Sequence, residues 1–159
     1  YEEHDHTKKH FSPPENFARV LNAGAGMFVP ARDMQCAGEG EDGTDLRLDV
    51  LSIDSSARAY AAAIARYGWA PQNGLPQQCD VEALWQCFPS NFFEVVHIRN
   101  AMDHTAQPLL GLREMLRVTR PGGRVVLWHW QNEHPESWKG LASGPHQWGF
   151  DLCPTLDSQ

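Results

Sequence analysis

The sequence predicts an α/β fold, a three-layer α/β/α sandwich around a mostly parallel sheet, and three observations carry that expectation. Short apolar runs alternate with helix-like stretches along most of the chain, the pattern of successive βαβ units. Polar or glycine-bearing turns follow the runs. The length, 159 residues of which 42% are hydrophobic, suits one globular unit with a single buried core.

Taken in order, residues 1–16 are polar and histidine-rich and end in Ser12-Pro-Pro-Glu15. They read as a lead-in segment, with the domain itself over 17–159. Phe17 to Asn22 carries an aromatic and a β-branched residue and runs into Ala23-Gly-Ala-Gly26, which predicts a buried first strand ending at a glycine turn. Between 27 and 45, Pro30, Gly38, Gly40 and Gly43 stand among several acids, so any helix there is short or broken and a loop follows. Leu48 to Asp54 reads as the second strand. Ser55-Ser56 can cap the alanine-rich helix Ala57 to Tyr67, which Gly68 closes.

A loop with Pro71, Asn73, Gly74 and Pro76 leads to a weak third strand near Leu75–Cys79, and Asp80 can cap a short helix over Val81–Phe88. Phe92 to Ile98 is the fourth strand. Pro108 opens a helix whose Leu109, Leu112, Met115 and Leu116 share one face. Arg120-Pro-Gly-Gly123 stops that helix, and Arg124 to Trp130 is the fifth strand. Beyond it, 133–144 is loop-like and His146 to Leu152 predicts a final strand. The chain starts at Tyr1 rather than Met and stops soon after that stretch, so it reads as a candidate fragment, with the fold cut at its C-terminal end.

Composition narrows the function classes. The net charge is −7 and no Lys/Arg run exists beyond Lys8-Lys9, so the basic footprint that nucleic acid demands is missing. No apolar run approaches the roughly 20 residues that cross a bilayer, and the first residues lack the layout of a signal peptide. Cys36, Cys79, Cys87 and Cys153 are scattered without a C-x-x-C pair, which fits neither a zinc site nor a dense disulfide framework and makes the cytoplasm the default location. His4, His6 and His10 lack a structured spacing and read as a solvated tail rather than metal ligands.

In an open α/β sheet, ligands bind at the carboxyl ends of the strands. Gly24 and Gly26 fall there, where missing side chains let a ligand approach the backbone, although glycines after a strand also serve simply as a turn. Asp54, at the tip of the second strand, can accept two hydrogen bonds from a ribose diol, or it can cap the next helix. It lies 30 positions after Gly24, against the roughly 20 of the dinucleotide fingerprint, and the loop at 27–45 accounts for the excess. Asp80 stands in the same relation to the third strand, as an acceptor for an adenine amine or as a helix cap. Asn100, Asp103 and His104 follow the fourth strand, and His104 is a candidate general base or a structural turn residue.

With these residues placed, the chain resembles the methyltransferase type 11 family of class I S-adenosylmethionine-dependent methyltransferases, whose fold is Rossmann-like. The resemblance spans about residues 17–130. It is most specific in Phe93-Glu-Val-Val-His-Ile-Arg-Asn-Ala-Met-Asp-His104 and in Leu112-Arg-Glu-Met-Leu-Arg-Val-Thr-Arg-Pro-Gly-Gly-Arg-Val-Val-Leu127. Val20-Leu-Asn-Ala-Gly-Ala-Gly26 is similar to the family's first motif. The resemblance implies S-adenosylmethionine as cofactor and a small-molecule methyl acceptor. It puts Asn22, Gly24 and Gly26 beside the methionine portion, Asp54 with Ser55 at the ribose, Asp80 with Val81 at the adenine, and Asn100 by the methionine amino end. Two departures stand out: Asn22 replaces the motif's acid and Met27 its third glycine. The lost charge weakens attraction to an ammonium, which motivates an alternative reading as a non-catalytic cofactor-binding module. If the acceptor must lose a proton, His104, His129 and Glu133 are the candidates by strand-end placement. A nicotinamide-dependent oxidoreductase would share the ribose acid, but G-x-G-x-x-G does not follow the first strand. Trp138, Trp148 and Phe150 read as core or lid packing.

Overall fold

A computed structural model describes residues 17–27, 29–30, 33–36, 46–68, 71–131 and 147–150. In chain order the elements are β1 (Phe17–Ala23), β2 (Asp33–Cys36), β3 (Leu46–Asp54), α1 (Ala57–Tyr67), β4 (Gln77–Gln78), a 3₁₀ helix (Val81–Gln86), β5 (Phe93–Arg99), a 3₁₀ turn (Met102–His104), α2 (Pro108–Val118) and β6 (Thr119–Trp128). The strands form one sheet in the order β2-β3-β1-β5-β6, with β4 paired to β3. Every pairing is parallel except that of β2 with β3.

The sheet grows in both directions from β1. The crossover through α1 steps from β3 to β4, away from β1 on one side, and the crossover through α2 steps from β5 to β6 on the other. Right-handed crossovers that step in opposite directions put their helices on opposite faces, which makes the three layers. Parallel registry then stacks like on like. Leu21 faces Leu51 and Val96, Ala23 faces Ile53 and Ile98, and this row joins Val81, Leu84, Phe88, Met102, Met115 and Val118 beneath α2. Each large aliphatic in that cluster contributes about 1.5–3 kcal/mol by leaving water. The intervening row is polar: the Asn22 amide donates to Ser52 Oγ at 3.2 Å, and its carbonyl oxygen lies 3.3 Å from His97 Nδ1.

Several expectations are corrected here. The 27–45 stretch contains a strand, β2, which adds an antiparallel edge to β3. In α2 the buried stripe is Gly111, Glu114, Met115 and Val118, whereas Leu109 and Leu116 are 75% and 57% exposed. The helix is rotated because Gly111 nestles against Met102 Sδ and Val81 Cγ1, 3.2 and 3.4 Å from where a Cβ would sit. Glu114 can be buried because Arg117 grips both its oxygens at 2.8 Å while also donating to the Phe88 carbonyl. That ion pair holds the Glu114 carboxyl below its ordinary value, the hydrogen bond from Arg117 being the main cause.

β6 begins at Thr119, so Arg120-Pro-Gly-Gly123 lies inside the strand as a bulge where the register with β5 slips, and it ends at Trp128, short of Trp130. Ser56 occupies the cap position of α1 without a side-chain cap bond. Asp54 and Gln78 supply the acceptors instead, for the amides of Ser56 and Arg58 at 2.8 and 2.9 Å. Of the final strand expected over 146–152, residues 147–150 are described and are not strand. Cys79 and Cys87 form a disulfide, a pairing that the scattered cysteines gave no reason to expect. Trp138 and the lead-in segment lie outside the described residues.

Candidate functional site

The carboxyl ends of β1, β3, β4 and β5 open on one cavity of about 420 Å³, within the range of small-molecule sites. Gly24, Gly26, Asp54, Ser55, Asp80, Val81, Asn100 and His104 all line it. Of the candidates for binding cofactor, Asn22 alone is not brought there. Its side chain projects from the sheet into the polar row between Ser52 and His97, and both ends of its amide are engaged. His97 is kept neutral by burial and, after that, by the charge of Arg99, both of which lower its pKa.

Each wall follows from local chemistry. After β1 the chain turns sharply: Gly24 adopts φ +62°, and a Cβ there would come within 2.4 Å of the Ala101 Cβ. Glycine is thus required twice, for the left-handed backbone and for the close approach. The Ala25 amide donates to the Ile53 carbonyl at 3.0 Å, and the Gly26 amide to Asp54 Oδ2 at 2.9 Å. Asp54 therefore fastens the glycine turn with one oxygen and opens α1 with the other. An ionised carboxylate has about four acceptor positions; with two amides and the Tyr60 hydroxyl bound to Asp54, one remains for a ligand hydroxyl. The two readings of Asp54, cap and ligand acceptor, are compatible.

Asp80 is doubly placed in the same way, accepting from the Glu82 amide at 2.9 Å while facing the cavity. Gln78 fastens the neighbouring corner, its amide donating to the Ser55 carbonyl at 2.6 Å. Tyr60, one turn into α1, also lines the cavity. Burial, then the negative charge of Asp54, raise its pKa, so the phenol stays protonated as a donor. The sequence signal for Tyr60 is its place four residues after Ser56, one turn into the helix that follows the strand tip. Glu82 and Thr105 are further lining residues that strand-end reasoning missed.

Opposite Asp54, Asn100 sits at φ +48°, and its Oδ1 is buried with no hydrogen-bond partner among the described residues. A buried carbonyl oxygen left this way is costly unless a ligand donates to it. Next to it, Asp103 is 2% exposed, with Oδ2 3.7 Å from His104 Nε2 and Oδ1 3.7 Å from His129 Nδ1. His129 lies under the Phe150 ring rather than on the cavity wall. Residues 147–148 fasten this turn through the Gln147 amide on the Asp103 carbonyl and the Trp148 indole on the Thr105 carbonyl, both at 2.8 Å. Glu133 lies outside the described residues, and among those described no cluster of three or more metal-ligating side chains occurs.

A glycine turn, an acid at the tip of the neighbouring strand, a second acid one strand further and an unsatisfied amide carbonyl thus come together at one cavity on the carboxyl edge of the sheet. On this fold, that arrangement defines the class I methyltransferases. The chain belongs to the methyltransferase domain family, whose model matches residues 16–127. Among curated proteins it is 34% identical over 79 residues to a ubiquinone/menaquinone biosynthesis C-methyltransferase, UbiE, of Nitrosospira multiformis, a match that covers 50% of this chain and 30% of that protein. The UbiE of Burkholderia cenocepacia is 33% identical over 78 residues, again across 30% of its length. The chain thus spans about a third of these relatives. Among solved structures, YcgJ of Bacillus subtilis aligns with TM-score 0.47 and 25% identity over 76% of this chain and 48% of that one. A methyltransferase of Aquifex aeolicus aligns with TM-score 0.48 and 17% identity over 84% and 65%. S-adenosylmethionine is the cofactor the family implies, and the orphaned Asn100 oxygen and the part-free Asp54 carboxylate fit its two ends.

Proposed function

We propose that this chain is the cofactor-binding part of an S-adenosylmethionine-dependent methyltransferase acting on a small-molecule acceptor. The observation that carries the reading is the pairing, across one cavity, of Asp54 with an acceptor position to spare and Asn100 with a buried oxygen that needs a donor. In this reading Asp54 with Ser55 receives the ribose hydroxyls and Asp80 with Val81 meets the adenine. Asn100 accepts from the ammonium end, and Gly24 and Gly26 let the methionine portion lie on the backbone. Asn22 has no direct part in it.

The bound cofactor supplies a methyl group on a sulfonium, open to in-line displacement. The chain's contribution is chiefly alignment and exclusion of water, which in enzymes generally is worth several kcal/mol. An acceptor that must lose a proton, such as the carbon acceptors the UbiE names describe, needs a group to take it. His104 on the cavity wall takes that role, its Nε2 lying 3.7 Å from an oxygen of the buried Asp103. A cytoplasmic setting accords with this reading, and among the described residues no helix is long and apolar enough to cross a membrane.

Titration with S-adenosylmethionine by calorimetry tests the proposal. Saturable one-site binding is expected, and absence of binding at millimolar cofactor sinks it. Binding without turnover of any acceptor offered would favour the alternative, a non-catalytic cofactor-binding module of the same fold.

A further inference from the structure

The disulfide lies in the wall of the cavity. Cys79 is 6% exposed and lines the cavity with its neighbours Asp80 and Val81, whereas Cys87 is exposed at the far end of the 3₁₀ helix. The bond joins residues eight apart, with Cα atoms 6.6 Å from each other. A loop this short removes little entropy from the unfolded chain compared with a long one, so the bond is a poor staple for the whole fold.

What it encloses is local and weakly built. Residues 81–86 are 3₁₀ rather than α-helical, and Ala83, at φ −132° and ψ 35°, leaves helical geometry altogether. Such hydrogen bonds are poorer than those of an α-helix. The far side of the segment is secured independently, by Val81 and Leu84 in the core and by the Gln107 amide donating to the Glu82 carboxylate. The near side, the corner at Cys79 and Asp80, follows the two-residue β4 and is tied by the Cys79 amide to the Asp54 carbonyl at a long 3.3 Å, by the Ala83 and Glu82 amides donating to the Asp80 carbonyl and carboxylate at 3.0 and 2.9 Å, and by the disulfide, its one covalent tie to the far end of the segment.

We propose that the Cys79–Cys87 disulfide is a redox control on cofactor binding: oxidised, it fixes Asp80 in the adenine wall, and reduced, it releases that corner. This rests on the reading of the cavity as a cofactor site. In the reductive direction a dithiol's thiolate attacks the exposed Cys87 sulfur, and Cys79 leaves as a thiolate. The dithiol's second thiol then resolves the mixed disulfide. The protein gains two electrons and two protons as two thiols, and the dithiol becomes a disulfide; a disulfide oxidant reverses the exchange. In the disulfide the Cys79 sulfur lies 3.8 Å from the Asp80 carbonyl; once freed as a thiol it gains a proton that it can donate there, a contact the oxidised form cannot make. In a reducing compartment such a bridge exists only once an oxidant has made it, which suits a switch better than a permanent tie.

The test is S-adenosylhomocysteine titration of the full chain before and after dithiothreitol, with the state of the bond read by peptide mass mapping. Reduction should weaken binding about tenfold, the loss of one wall of contacts and not of the whole site. The double variant Cys79→Ser with Cys87→Ser should bind like the reduced protein whether or not dithiothreitol is present. Hydrogen exchange should quicken at the amides of Ala83, Cys87 and Phe88 while β1 and β5 stay protected. Affinities equal within about twofold, or a double variant that binds like the oxidised protein, overturn the switch and leave the cofactor site standing. Loss of protection across the sheet on reduction also overturns it, since the bond would then be a staple for the fold. Absence of binding in either state overturns the cofactor site itself, and the switch with it.

Discussion

The tips of β3 and β5 flank that of β1 at the same cavity, and they are built on opposite principles. Asp54 at the first is satisfied by the protein: the Gly26 and Ser56 amides both donate to it, so its position is fixed before any ligand arrives. Asn100 at the second is held by its backbone amide on the Trp128 carbonyl at 2.8 Å, but its side-chain oxygen is buried without a partner among the described residues. One arm is preorganised and adds a ligand to existing bonds. The other stores an unmet demand that a ligand meets. Binding energy and folding stability should therefore be coupled at Asp54 and separate at Asn100.

The most severe way to break this comparison is to close the space between the arms. Gly24→Ala puts a methyl 2.4 Å from the Ala101 Cβ on a left-handed backbone. It should abolish detectable cofactor binding and cost about 2–4 kcal/mol in chemical denaturation. Asp54→Ala comes next. It leaves the Gly26 and Ser56 amides without their acceptor, and denaturation should show a loss of about 1–3 kcal/mol in the absence of ligand.

Asn100→Gly sharpens the contrast, because glycine accepts the φ of +48° without strain and removes the orphaned oxygen. Cofactor affinity should fall about tenfold, while the apo protein is as stable as before or slightly more so. A loss of stability matching that of Asp54→Ala would erase the distinction between the arms.

The acid limb of the stability curve probes a third place, Glu114 in α2. The folded pKa of Glu114 is lowered by Arg117, so its contribution is complete above the unfolded carboxyl value and is lost as pH falls through the lower folded one. Denaturation midpoints should hold steady down to about pH 4.5 and then decline. Glu114→Gln should flatten that decline and leave cofactor affinity unchanged. The smallest effect is expected of Asn22→Asp: restoring the motif's acid should change affinity by less than about twofold, because that side chain faces Ser52 and His97 and not the cavity.

How legible this was depended on whether a residue's task was local. The helix Ala57–Tyr67 with its Gly68 terminus, the Pro108 start of α2 and the Asp80 cap could be read directly, because caps and prolines act over three or four residues. That Gly24, Gly26, Asp54, Asp80 and Asn100 share one cavity followed from a topological rule, that parallel strands present their carboxyl ends together. The rule could not say which way Asn22 points, one residue before the strand ends. Period-two alternation with Leu21 and Ala23 turns it away from the side that α2 covers.

β2 was missed because Asp33-Met-Gln-Cys36 has no apolar run and owes its strand to pairing with β3. The face of α2 was misread because Gly111 and Glu114 were not counted as core, yet a close helix contact wants the one and a bidentate arginine admits the other. The disulfide was hidden because connectivity follows from the fold and not from spacing.

The central claim is that Asp54 is a ligand acceptor as well as a structural tie. Its most direct test is the S-adenosylmethionine dissociation constant of Asp54→Ala against wild type by calorimetry, under conditions where circular dichroism shows both folded. Loss of the remaining acceptor position should weaken binding by about 10-fold to 100-fold, the scale of a hydrogen bond to a charged group. Equal affinity in the two proteins would contradict the account, leaving Asp54 a helix-opening residue that happens to stand beside the cavity.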